Sequence, residues 1–135
     1  MRYDKLTEKA QEAIQEAESI AHKYNHSAVD TEHLTAALLE QQDGVIPPLL
    51  NRLGISPKDL LLKITEKLNS MSKVYGDVSQ LGLSPQLSRV IHQAEEEAKQ
   101  LKDDFISTEH LFLGLMNVQS NWLPASWLLP LCAMC

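Results

Sequence analysis

The sequence predicts an all-α protein in which one helical unit occurs twice. Residues 29–39 read VDTEHLTAALL, and residues 106–116 read ISTEHLFLGLM, 77 positions later. Between residues 6 and 40, ten positions are identical at that offset without a gap. Self-similarity at a fixed offset indicates a repeated structural unit. Apolar residues make up 44% of the chain and aromatic residues 5%, which favours an aliphatic core between helices.

The first helix of the unit should begin after Thr7, whose hydroxyl can cap it, with Glu8 in the first turn. Apolar residues then recur every three or four positions, as on one face of a helix of about five turns. They are Leu6, Ala10, Ala13, Ile14, Ala17, Ile20, Ala21 and Tyr24. We expect the polar stretch from residue 22 to residue 26 to end this helix.

The second helix of the unit carries the repeated motif and should begin at a polar cap. Asp30 or Thr31 can cap it in the first unit, and Ser107 or Thr108 in the second. We expect the first copy to end near Glu40. Equivalent helices in a two-fold repeat should meet, so we expect their leucines to be buried together between the halves. These leucines are Leu34, Leu38, Leu111 and Leu115.

Two further helices should complete the first unit. Pro47 suits the first turn of a short third helix, and Gly54 suits its end. Ser56 and Pro57 form a cap followed by proline at the first helical position, which begins a fourth helix. Its inward residues should be Leu60, Leu61, Ile64 and Leu68.

The second unit should be truncated. Residues 70–82 lack a helical period and are interpreted as a linker, after which Ser84-Pro85 restarts the pattern. The first stripe then returns as Leu87, Val90, Ile91, Ala94, Ala98 and Leu101. Beyond position 109 there are no charged residues, and both tryptophans and both cysteines follow. We therefore predict a domain at 1–117, with a first repeat at 1–75 and a partial second at 80–117, and an atypical apolar tail at 118–135.

The composition argues against several classes of function. A net charge of −6 disfavours nucleic acid as a partner, because phosphate binding needs a basic surface. No apolar run reaches the roughly 20 residues of a membrane span, and no signal-peptide pattern opens the chain, so we expect no membrane partner and a cytoplasmic protein. No G-x-x-x-x-G-K-[ST] motif occurs. The absence of this motif argues against a P-loop ATPase. No nucleophile, base and orienting group can be assembled from the spacing of the residues either, so we expect no enzyme, no catalytic residues and no cofactor.

Two Thr-Glu-His-Leu motifs at this separation resemble the Clp N-terminal domain (Clp repeat) family. The opening MRYDKLT, the VYGD at 74–77 and the DDFISTE at 103–109 are similar to members of the ClpB type. The resemblance covers roughly residues 1–117. It implies two pseudo-symmetric four-helix Clp repeats, the second of them truncated here.

The resemblance also implies a function. Family members of the ClpB type contact unfolded or aggregated proteins as appendages of a hexameric Clp ATPase, a disaggregase that works with the DnaK-type chaperone system. Polar groups matching Thr7, Asp103 and Glu109 are implied to take part in handling substrate. The alternatives are a ClpC/ClpA-type domain that binds adaptors, or phosphorylated arginine at Glu32 and Glu109, and a stand-alone helical adaptor module.

The candidate site residues have plainer interpretations as well. Glu32 and Glu109 lie in the first turns of their helices, where a carboxylate offsets the helix dipole by about 0.3–1 kcal/mol. At the mouth of a groove between helices they could also meet Lys, Arg or amide groups of an unfolded chain, so both glutamates join Thr7 and Asp103 as predicted substrate-binding residues. Thr7 is first of all a cap, and Asp103 a loop residue.

Several histidines and cysteines have spacings that raise the question of a metal. His33 and His110 recur at the offset, His22 and His26 have the i, i+4 spacing of a zinc pair, and Cys132 and Cys135 form a single C-x-x-C. A histidine beside a helix start is more commonly a packed or capping residue, and a single C-x-x-C is weak evidence for zinc. We therefore predict no metal site.

Overall fold

The computed structural model describes residues 5–41, 44–52, 54–70 and 82–117. Most of the predicted linker and the whole predicted tail, with its two cysteines, lie outside the described residues. The elements within them follow in chain order: α1 (Glu8–Lys23), β1 (Ala28–Val29), α2 (Thr31–Glu40), α3 (Ile46–Arg52), α4 (Pro57–Ser70), β2 (Gly82–Leu83), α5 (Pro85–Gln100) and α6 (Thr108–Asn117). The predicted all-α class is confirmed, and the two-residue strands are an addition that the sequence did not predict.

The predicted N-caps begin the long helices in both halves. The Thr7 Oγ1 atom accepts a hydrogen bond from the Ala10 N–H at 3.2 Å, and the Ser84 Oγ atom accepts one from the Leu87 N–H at 3.0 Å. Thr7 and Ser84 are 77 positions apart, so the repeat preserves the cap as well as the apolar stripe. A side-chain acceptor at this position satisfies one of the backbone donors that a helix leaves unpaired.

The ends of α1 and α5 are also equivalent. Asn25 and Lys102, again 77 positions apart, both have a φ of 58°. The residue that follows each of them, His26 or Asp103, donates its backbone N–H to a helix carbonyl five positions earlier at 2.9 and 2.8 Å, respectively. This left-handed turn satisfies a terminal carbonyl of the helix. It places the side chains of His26 and Asp103 at matching positions in the two halves.

The two halves are joined by cross-pairing. β1 pairs with β2 in parallel, with Val29 opposite Leu83, and an isolated parallel bridge joins Leu6 to Ile106. Leu83 is the repeat equivalent of Leu6, and Ile106 is that of Val29, so the two pairings are one contact related by the pseudo-two-fold axis. The lead-in to the first helix of each half therefore pairs with the lead-in to the second helix of the other half.

The core receives buried side chains from all six described helices, and α2 and α6, the equivalent helices of the two halves, contact each other within it. All four predicted leucines (Leu34, Leu38, Leu111 and Leu115) are at most 1% exposed and belong to a single core. Their burial confirms the prediction for this quartet. α2 is buried along almost its whole length, because α1 and α4 of its own half pack on it in addition to α6.

Gly114 allows α6 to approach α5 closely. A Cβ atom at this position would lie 2.5 Å from the backbone oxygen of Val90. Any side chain would therefore have to push the two helices apart. The repeat equivalent of Gly114 in α2 is Ala37, which is fully buried.

One predicted core position is wrong. Leu101 continues the apolar stripe of α5 but is 59% exposed. Its equivalent Tyr24 is partly buried and packs against the core, where it lines a small cavity with Leu61 and Leu68 of α4. The apolar stripe therefore repeats in the sequence of both halves. The helix that covers the end of the stripe at Tyr24 is α4, which belongs to the first half.

Candidate functional site

The start of each central helix is held by a histidine. The backbone N–H of Asp30 donates to His33 Nδ1, and the backbone N–H of Ser107 donates to His110 Nδ1, both at 2.8 Å. In α2 the bond is one half of a capping box, in which the Asp30 side chain caps the helix in return. The capping interpretation of the two repeated histidines is confirmed. Each Nε2 atom then points to a partner from the preceding turn.

In the first half that partner is another histidine. His33 Nε2 lies 2.6 Å from His26 Nδ1, and His26 Nε2 lies 3.1 Å from the carbonyl oxygen of Leu68 at the end of α4. A carbonyl only accepts, so His26 Nε2 carries a hydrogen and its Nδ1 atom accepts from His33 Nε2–H. His33 Nδ1 in turn accepts from Asp30. Both rings are neutral in this arrangement, and every ring nitrogen has a partner.

Burial and, to a smaller extent, His26 lower the pKa of His33 to about 4, against the opposing effect of Asp30. The hydrogen-bond chain explains why a second proton is disfavoured there. A proton on His33 Nδ1 would face the N–H of Asp30, and one on His26 Nδ1 would face the Nε2–H of His33. His26 and His33 are 2% and 0% exposed, so water cannot relieve either conflict.

In the second half the partner is a carboxylate. His110 Nε2 donates to Asp103 Oδ2 at 2.9 Å, and Ser107 Oγ lies 3.0 Å from His110 Nδ1. Asp103 is the repeat equivalent of His26, and its side chain is 49% exposed. The same position is therefore sealed and neutral in one half, and open and acidic in the other.

The two predicted glutamates also differ in exposure. Glu32 is only 7% exposed, and the Thr31 hydroxyl donates to its Oε2 atom at 3.3 Å. Burial raises the pKa of Glu32, and Asp30 adds to this rise. Glu109 is exposed, and the Ser107 hydroxyl donates to its Oε2 atom at 3.4 Å. Of the two carboxylates, only Glu109 is at the surface.

The remaining predicted residues meet around the turn that precedes α6. The Thr7 N–H donates to the carbonyl oxygen of Ile106 at 3.0 Å. Asp103 and Glu109 reach the same turn through His110 and Ser107. Beside it lies a cavity of about 580 Å³ lined by three carboxylates, two lysines and two apolar side chains (Glu95, Asp103, Asp104, Lys5, Lys99, Ala98 and Ile106). The structure thus brings Thr7, Asp103 and Glu109 into one region and leaves Glu32 in the interior.

The described residues also bear on the metal and membrane questions. Among them, no group of three or more His, Cys, Asp or Glu side chains is placed to hold a metal ion. His22 is exposed on α1, whereas His26 points to His33. None of the described helices is both long and apolar enough to cross a bilayer.

Sequence reasoning did not identify the buried pair of His26 and His33. In the sequence, His26 ends the polar stretch that follows the first helix and has an i, i+4 spacing from His22, neither of which predicts a contact with His33. Alignment of the two halves places His26 against Asp103, each seven residues before the histidine of its motif. That correspondence was the available signal for a shared contact.

Comparisons with known proteins agree with this architecture. Residues 5–125 match the Clp repeat (R) N-terminal domain family. The chain is 41% identical over 124 residues to the chaperone protein ClpB of Clostridium tetani, and 38% identical over 121 residues to that of Pseudomonas putida. Each match covers 90% of this chain and 14% of the relative. The chain therefore spans about one-seventh of these curated relatives.

Solved structures share the fold at lower identity. The N-terminal domain of Hsp104 from Candida albicans superposes with a TM-score of 0.78 at 22% identity, covering 84% of this chain and 75% of that one. The N-terminal domain of the ClpV1 ATPase from E. coli gives 0.80 at 22%, covering 95% and 77%. A ClpV N-domain in complex with a VipB peptide gives 0.70 at 18%, covering 96% and 78%. The cross-paired helical repeat and the match over residues 5–125 together show that this chain belongs to the Clp repeat (R) N-terminal domain family.

Proposed function

We propose that this chain is a non-catalytic N-terminal domain of a ClpB-like AAA+ chaperone, and that it contacts unfolded or aggregated polypeptides through its second half. The observation that carries the proposal is the difference between equivalent positions. Asp103, Glu109, Leu101 and Phe105 are exposed on the second half, with Leu101 and Phe105 59% and 55% exposed. Exposed apolar side chains beside polar groups are typical of protein-binding surfaces.

The family supports the rest of the assignment. ClpB relatives match this chain over one-seventh of their length, so the chain would act as an appendage of a longer protein. We propose a Clp ATPase hexamer as its assembly and a DnaK-type chaperone system as its working partner. Thr7, Asp103 and Glu109 are the proposed contact residues. Glu32 becomes a weaker candidate, because its side chain is buried in the first turn of α2.

A binding assay tests this proposal directly. The chain is titrated against a labelled, reduced and carboxymethylated protein, which cannot refold, and against the same protein in its native form. We expect binding of the unfolded form alone. Asp103→Ala and Glu109→Ala should weaken that binding. Asp59→Ala, at the exposed start of α4, is the matched control and should not.

Circular dichroism of each variant separates loss of contact from loss of fold, since Asp103 also holds His110. Equal affinity for native and unfolded protein would contradict the proposal. So would unchanged binding by both variants in a folded state.

Adaptor binding is a second candidate, because a related ClpV N-domain forms a complex with a VipB peptide. A domain of that kind would bind one defined sequence and not unfolded chains in general. Competition between unrelated unfolded proteins for the same surface favours the first proposal. Phosphorylated arginine held by both glutamates is disfavoured, because Glu32 is buried.

A further inference from the structure

We propose that the open face of the second half selects segments in which a Lys or Arg side chain neighbours a large apolar side chain. The cation would lie on Asp103, and the apolar group would lie against Leu101 and Phe105. This inference rests on the proposed function and names the class of segment that the site prefers. It comes from a reversal of hydrogen-bonding chemistry between the two halves.

The first half shows what occupies such a face when it is filled. Tyr24 packs against the core and shares a cavity with Leu61 and Leu68 of α4. His26 Nε2–H donates to the backbone oxygen of Leu68 at 3.1 Å. The occupant is therefore the end of an amphipathic helix, which supplies apolar side chains to Tyr24 and a carbonyl acceptor to His26.

The second half presents the equivalent positions to solvent. Leu101 takes the place of Tyr24 and Asp103 that of His26, and Phe105 lies two residues further along the loop. All three side chains are about half-exposed or more. Asp103 also lines the cavity of about 580 Å³, whose volume is within the range of pockets that hold ligands. An apolar group that lay against Leu101 and Phe105 would cover surface that water now contacts.

The polar requirement at this position is reversed. His26 offers a hydrogen to a carbonyl, whereas an ionised Asp103 only accepts. A helix end like that of α4 would bring its carbonyl oxygen against a carboxylate and be repelled. An occupant must instead bring a donor. Oδ2 of Asp103 already accepts from His110, which leaves Oδ1 to receive the donor from the occupant.

Charge favours a cation as that donor. Glu95 and Asp104 line the cavity together with Asp103, against two lysines, Lys5 and Lys99. Lys99 lies 3.7 Å from Glu96 on the same helix, which offsets its charge. The aliphatic stem of a Lys or Arg can also cover the apolar wall of the cavity while the head reaches the carboxylate. Hydrogen bonds between ions are about twice as strong as neutral ones.

Short labelled peptides that differ only at two adjacent positions test the inference. The pairs are Lys-Leu, Gln-Leu and Lys-Ser in a common Ala/Ser background, titrated by fluorescence anisotropy against the 135-residue chain. We expect Lys-Leu to bind about tenfold more tightly than Gln-Leu, as one charge-assisted contact would give, and more tightly than Lys-Ser, because its leucine covers additional apolar surface. Added salt should reduce the advantage over Gln-Leu.

Two variants test the cationic and the apolar parts of that preference separately. Asp103→Asn should bring Lys-Leu down to the affinity of Gln-Leu, and Leu101→Ser should reduce its advantage over Lys-Ser, with Phe105 retaining part of that advantage. Leu101 is exposed, so its variant should keep the stability of the parent chain and serve if Asp103→Asn weakens the fold. Asp59→Asn is the matched charge control and should leave all three affinities unchanged.

The outcomes separate this inference from the proposed function. Equal affinities for Lys-Leu and Gln-Leu would overturn the selectivity, and so would an unchanged preference in Asp103→Asn. If the carboxymethylated protein still binds in either case, the proposed function stands without the inference. If neither the peptides nor the unfolded protein bind, both fail.

Discussion

Acidification should weaken the fold through the buried pair of His26 and His33. The pKa of His33 lies near 4 in the folded chain, against about 6.5 in an unfolded one. The unfolded state therefore binds more protons between these values, and stability falls as the pH falls from 6.5 towards 4. Relative to neutral pH, the free energy of unfolding at pH 5 should be lower by about 2 kcal/mol. This value follows from the folded and unfolded pKa values of His33 by proton linkage.

The neighbouring charged groups determine how much of this loss appears in the net stability of the chain at low pH. Asp30 faces His33 and partly offsets the effect of burial. Glu32 acts in the opposite direction, because the pKa of its carboxyl is raised. Its folded form takes up a proton before its unfolded form does, so protonation of Glu32 reduces the net loss at low pH. The contribution of His33 must therefore be isolated with a variant.

His26→Asp places in the first half the carboxylate that the second half has at Asp103. The new carboxylate would accept from His33 Nε2–H and would remain a partner after His33 gained a second proton. The pKa of His33 should rise, and most of the acid sensitivity of about 2 kcal/mol should disappear. The variant should be less stable at neutral pH, because the Leu68 carbonyl loses its donor. His22→Asp makes the same chemical change at an exposed site of α1 and is the control.

Urea unfolding at pH 7.5 and pH 5, followed by circular dichroism at constant ionic strength, measures these differences. The parent chain and His22→Asp should lose about 2 kcal/mol more than His26→Asp over this interval. An NMR titration of the His33 ring gives its pKa directly. Titration of His33 near 6.5 in the folded chain would refute the reasoning, as would equal losses in all three proteins.

Three further predictions concern the helices and the absence of a nucleotide motif. Gly114→Ala should lower the free energy of unfolding, measured in urea, by about 1–2 kcal/mol, because the clash with the Val90 carbonyl exceeds the gain in helix propensity; an unchanged free energy would mean that α5 and α6 can separate. Thr7→Ala should cost about 1 kcal/mol. Ser84→Ala should cost about 2 kcal/mol in the same assay, because its hydroxyl also donates to Asp30 at 2.8 Å; equal losses would contradict this. Calorimetric titration with ATP should show no saturable heat.

Local chemistry explains why much of the fold could be predicted. Thr7 and Ser84 cap their helices with acceptors from their own side chains, so the signal is contained within four residues. The quartet that includes Leu34 and Leu111 could be predicted because helical spacing and the repeat agree. Such features depend on neighbours in the sequence or on the offset between the halves.

The site depends on contacts that sequence spacing does not encode. Glu32 and Glu109 stand at equivalent positions, yet only Glu109 is exposed. His26 is sealed because α4 brings the Leu68 carbonyl to it across 42 positions of sequence. The strands are two residues long, which is too short for an alternating pattern to identify them.

The cross-pairing of the two halves sets an order on events during synthesis. The hydrogen bond from the Thr7 N–H to the carbonyl of Ile106 can form only after Ile106 has been added, about 100 residues later. A ribosome adds that many residues in roughly 5–20 s. Until then the lead-in to α1 has an unpaired edge, and α2 lacks α6 against its apolar surface. The first half therefore emerges as an incomplete unit with exposed apolar surface, a state in which nascent chains aggregate. The domain, which we propose to contact unfolded chains, would therefore itself be incompletely folded during the first seconds of its synthesis.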